Sequence, residues 1–68
     1  MVNTPKIKGR IVELSLNQME IAKSLGIAQP TLNQKINNIR PFKLDEVGAL
    51  QKILKIPDSD FATYFFAQ

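Results

Sequence analysis

The chain has 68 residues, a formal net charge of +3, and neither cysteine nor histidine. That length supports one thinly stabilised domain at most, and the two missing residue types exclude disulfides, thiolate zinc sites, cysteine nucleophiles and histidine general bases together. Apolar runs fall far short of the roughly 20 residues that cross a bilayer, and no apolar signal core opens the chain, so a cytoplasmic protein with no membrane partner is expected.

In chain order, Thr4 followed by Pro5 predicts a helix start, because threonine can cap free N–H groups and proline's fixed φ suits the first helical position. Ile7, Ile11 and Leu14 recur at helical spacing while Lys6, Lys8 and Arg10 lie off that stripe, giving an amphipathic helix over about residues 5–14 with a basic outer side. Asn17 can cap a second helix, about 18–25, with Glu20 reaching back to the cap. Gly26 supplies the left-handed residue that ends it, and Ala22 is small where a third helix has to cross closely.

The third helix is predicted from Gln29 to about residue 37, since Pro30 is tolerated only in a first turn. Leu32, Ile36 and Ile39 form its inner stripe, and Pro30, Asn33, Gln34 and Asn37 cluster opposite. Arg40, Pro41, Phe42 and Lys43 make a basic connector with one aromatic anchor. A fourth helix, about 44–54, has Asp45 and Glu46 favourably placed against its dipole, an apolar set of Leu44, Val47, Leu50, Ile53 and Leu54, and Gly48 at an expected close contact. Pro57 stops it. Asp58 or Ser59 then caps a last helix, about 59–66, containing Phe61, Tyr64, Phe65 and Phe66. With no repeat or linker, residues 1–68 read as a single all-α domain of four to five helices.

Charge is unevenly spread along this domain. Residues 1–43 carry seven basic groups against Glu13 and Glu20, a balance of +5, whereas residues 44–68 carry Lys52 and Lys55 against Asp45, Glu46, Asp58 and Asp60, a balance of −2. A cationic front and a mildly anionic rear suit a polyanion on one side only.

Gln18, Ala22, Gly26, Ile27, Gln29, Thr31 and Leu32 stand at the spacing of the helix-turn-helix in the lambda-repressor and Cro family of phage and bacterial regulators, which the chain resembles over roughly residues 6–57. The run TLNQKINNIRPFKLDEV is similar to a phage Cro-type subgroup. Three positions depart from the family pattern: Ala28 replaces a usual serine or threonine cap, Lys35 stands at a usually apolar position, and Asn38 replaces a frequent glycine. The resemblance implies a lambda-repressor-like fold, a sequence-specific repressor that binds double-stranded operator DNA, and two-fold dimers on palindromic sites. It further implies base contacts from Gln29 and Gln34 and a phosphate contact from Gln18 at a helix N-terminus.

The residue types support the same chemistry. Glutamine and asparagine each offer a donor beside an acceptor, matching N6 and N7 of adenine in the major groove, so Gln29, Asn33 and Gln34 are expected on base edges, with Pro30 against a thymine methyl. Thr31, Lys35, Asn37, Asn38, Arg40 and Lys43 are expected to join Gln18 on the DNA backbone, where contacts set register and salt dependence. Part of Phe61, Tyr64, Phe65 and Phe66 closes the core, and the remainder of segment 58–68 is expected to form a weak or DNA-assisted homodimer seam or a patch for another phage repressor. The alternative is an interaction module that modulates such a repressor through this aromatic end. Enzymatic function is not expected, because Ser15, Ser24 and Ser59 have no histidine partner, the carboxylates are unpaired and no phosphate loop occurs; no cofactor or metal is expected either.

Overall fold

A computed structural model describes residues 1–67. Among these residues the chain is all-α, in the order α1 (Thr4–Glu13), α2 (Gln18–Leu25), α3 (Gln29–Ile36), α4 (Leu44–Ile53) and α5 (Phe61–Phe65), with a short 3-10 turn at Asp58–Asp60 and no strand. No described helix is long and apolar enough to cross a membrane.

Local signals set most of the boundaries. Asn17 caps α2 by accepting from the Glu20 backbone N–H at 2.9 Å, and its own amide donates to the Glu20 carboxylate at 2.6 Å. Gly26 then turns the chain at φ 72. At α1 the cap is Asn3 and not Thr4: the Asn3 side chain accepts from the Lys6 N–H, while Thr4 already lies inside the helix. Asparagine is at least as good a cap as threonine, and Pro5 fits either arrangement because it still lies within the first turn. The final helix is shorter than expected, since Asp58–Asp60 winds as a 3-10 turn and neither Asp58 nor Ser59 provides a side-chain cap to α5.

The core gathers Val2, Ile7, Ile11, Ile21, Ala22, Leu32, Ile36, Leu50, Leu54, Ile56 and Phe65. α2 packs on both α3 and α4, and α1 on α3 and α5, so every helix contributes one apolar face to a shared centre. Ala22, buried on α2, also provides the carbonyl that accepts from the Ile27 N–H at 3.0 Å, which ties the turn down where α3 begins.

Three expected core features are corrected. Ile39 is 71 % exposed, because α3 ends at Ile36 and Asn38 reverses the chain at φ 63, breaking the helical spacing that placed Ile39 inward. Leu44 is 89 % exposed, at the first position of α4 and outside its inner stripe. Gly48 meets no close neighbour; a Cβ added there would reach open space.

Arg10 is held by the far side of the fold. Its Nε donates to the Leu54 carbonyl at 2.8 Å and its other end to the Lys55 carbonyl at 3.3 Å, so a cation sits on the open carbonyls after α4.

Candidate nucleic-acid interface

α2 and α3 are eight-residue helices joined by the turn Gly26–Ala28. Leu32 and Ile36 are fully buried, which fixes the rotation of α3 and leaves its other side to solvent. Gln29, Pro30 and Asn33 are exposed there, Gln34 is half-buried, and Thr31 lies half-buried at the flank. Of the amides expected on the outer face, Gln29 and Asn33 are thus open to solvent, and Gln34 and Asn37 partly so.

Two of them are coupled. The Asn37 amide donates to the Asn33 carbonyl at 2.8 Å and to the Asn33 side-chain oxygen, joining successive turns of the face. Gln18 is half-buried in the first turn of α2, while Arg40 and Lys43 are exposed beyond α3. Ile39 and Leu44 flank these two cations, an apolar addition that helical periodicity concealed.

Lys35 is corrected as an outward-facing residue, whereas Asn38 is exposed with its amide engaged by the chain's own N-terminal segment. Lys35 is 7 % exposed and its ammonium lies 2.5 Å from the Glu46 carboxylate, in a buried ion pair between α3 and α4. The same carboxylate accepts from the Lys43 backbone N–H at 2.8 Å, so Glu46 fixes α3, the connector and the start of α4 together. Burial pushes the Glu46 carboxyl up, but the Lys35 hydrogen bond, the Lys43 N–H and the charges of both lysines outweigh it and hold the pKa below its ordinary 4.5. Sequence reading gave Glu46 only a dipole role; the sign of something more was Lys35 at a position where an apolar residue was due.

Asn38 turns its side chain back onto the N-terminus. Its Oδ1 accepts from the Val2 N–H at 2.8 Å, and its Nδ2 donates to the Val2 carbonyl at 3.0 Å and to the Thr4 hydroxyl at 3.2 Å. Thr4 in turn donates to the Ile36 carbonyl, the end of α3, at 2.6 Å. Neither role for Asn38 or Thr4 carries a local sequence signal, because the partners lie more than thirty positions apart.

The aromatic end divides unequally. Phe65 is buried, Phe61 and Tyr64 are half-buried against the core, and Phe66 is 67 % exposed. Phe61 stacks within 4.9 Å of Phe65 and meets Phe66 edge-on at 5.5 Å, and Lys6 lies over the Tyr64 ring at 5.5 Å. Phe66 borders a cleft of about 200 Å³ whose walls include Met1, Arg40, Pro41, Phe42 and Phe65. No curated protein matches this chain. Over residues 3–68 it matches, and so belongs to, the family described as "Protein of unknown function (DUF739)".

Proposed function

We propose that the chain is a sequence-specific DNA-binding repressor of the lambda-repressor and Cro type, acting in the cytoplasm of a bacterial host and reading operator bases with α3. The observation that carries this reading is the division of α3 into a sealed side, Leu32 and Ile36, and a free side bearing Gln29, Pro30 and Asn33. An α-helix with its side chains is about 10–12 Å across, which the roughly 12 Å wide major groove admits. Gln29, Asn33 and Gln34 act on base edges, Pro30 on a thymine methyl, and Gln18, Thr31, Asn37, Arg40 and Lys43 steady the duplex.

In this reading Lys35 and Asn38 hold α3 in place and do not touch DNA. Phe66 and its cleft, which borders Arg40 and the connector after α3, favour an added contact there: a weak or DNA-assisted homodimer, or docking of another phage repressor.

The test is selection of preferred sites from random duplexes, followed by binding of the Gln29→Ala and Gln34→Ala variants. Each substitution is expected to relax preference at one base position and to weaken the selected site by about 1–3 kcal/mol. Variants that bind every duplex as the parent does exclude readout by this face. A parent without any duplex preference favours the interaction module, and a strict monomer in sedimentation with and without operator removes the dimer.

A further inference from the structure

We propose that Asn38 is a positioning residue for α3, clamping the N-terminal segment Met1–Asn3 across the end of that helix and so fixing its orientation. The clamp follows from geometry alone; its consequence for base readout rests on the function proposed above.

Asn38 grips Val2 at two points, accepting from its N–H at 2.8 Å and donating to its carbonyl at 3.0 Å, as a neighbouring strand would. The Val2 side chain is buried in the core, so the gripped segment is itself fixed. From the other side, the Asn3 N–H donates to the Tyr64 carbonyl at 2.8 Å, and the Ala67 N–H donates to the Met1 carbonyl at 2.9 Å. The N-terminal segment is thus held between α5 and the end of α3. Thr4 completes the link through its 2.6 Å bond to the Ile36 carbonyl.

The opposite end of α3 is tied through the turn, by the Ile27 N–H on the Ala22 carbonyl, but has no side-chain fastening of its own. Ala28 stands at its N-cap and makes no side-chain bond to the first turn. Lys35, Ile36 and Asn38 all lie at the C-terminal end, so α3 is anchored there and through its buried face. On a helix about 12 Å long, a pivot of about 10° at that end carries the far end about 2 Å, well beyond the roughly 0.5 Å tolerance of a productive site. Gln29 lies at that far end.

Asn38 has φ 63, a conformation that glycine also adopts freely, so Asn38→Gly removes the amide and leaves the backbone path intact. Two measurements on the untagged full chain test the clamp. Asn38 is itself exposed, so proton exchange in the parent is expected to show its hydrogen-bonded side-chain amide protected relative to another exposed amide such as Gln29, with that order at the Val2 N–H lost in Asn38→Gly. Dissociation constants for a selected operator and for a random duplex provide the second. With helix content unchanged, Asn38→Gly is expected to lose about tenfold on the operator, the discrimination of one good base contact, and to keep its affinity for the random duplex.

Thr4→Val, which removes the hydroxyl link, is expected to shift the same ratio less. An unprotected Asn38 amide overturns the clamp. So does equal weakening on both duplexes with a shallower salt dependence, the signature of a phosphate contact by Asn38. If the parent prefers no duplex, the functional reading fails, and proton exchange still decides the clamp.

Discussion

α2 and α3 have the same length and lie side by side, yet they are held by different means. α2 is capped at both ends by its own neighbours in sequence, Asn17 with Glu20 at the start and Gly26 at the end. α3 closes its C-terminal end locally, on the left-handed Asn38, but has an empty cap at Ala28 and takes further partners from the rest of the chain: Glu46 on Lys35, Thr4 on Ile36, and Val2 on Asn38. A helix specified locally keeps its shape wherever it sits, whereas one specified by distant partners has a position as well as a shape. Placement is what a side chain needs in order to enter a groove.

The largest effect expected from breaking this contrast is at the ion pair. Glu46→Gln leaves the Lys35 ammonium buried without a counter-charge and is expected to cost about 3–5 kcal/mol in urea unfolding, whereas joint replacement by Lys35→Met and Glu46→Leu restores stability to near the parent. Acid acts on the same bond. Because the folded Glu46 carboxyl titrates below its ordinary 4.5, the unfolded chain takes up the proton first as pH falls. Its contribution is therefore complete above that ordinary value and is lost as pH drops through the folded value, and the parent should show a steeper acid loss than Glu46→Gln.

A smaller effect is expected at the local cap. Asn17→Ala removes the bond to the Glu20 N–H and is expected to lower stability by about 1 kcal/mol. The smallest is a gain: Ala28→Ser supplies the acceptor that α3 lacks and is expected to add about 0.5–1 kcal/mol, read as a rise in the urea midpoint with unchanged slope. An Ala28→Ser variant no more stable than the parent means that the first turn of α3 is already satisfied, and the contrast between the two helices disappears.

The same division explains what could be read from residue order. The bounds of α2 were legible because cap, capping partner and terminal glycine all lie within the segment itself. The inward set Leu32 and Ile36 was legible because helical spacing needs no distant information. Ile39 was misplaced because the spacing was carried past a left-handed residue that asparagine conceals better than glycine does. Lys35 looked like a solvent-facing residue because its partner, Glu46, lies in another element, and the bonds from the exposed Asn38 to Val2 were hidden for the same reason. Leu44 looked inward because apolarity outweighed its place at the very start of a helix. The exposed half of α3 was thus visible in the sequence, and the contacts that hold the helix were not.

The Met1 carbonyl accepts from the Ala67 N–H, which brings the beginning of the chain beside its last described residue. The backbone is nearly a ring. A short glycine-rich joint between these two segments, with new ends cut in the exposed turn at Ser15, would make the bracing of α3 a continuous strap.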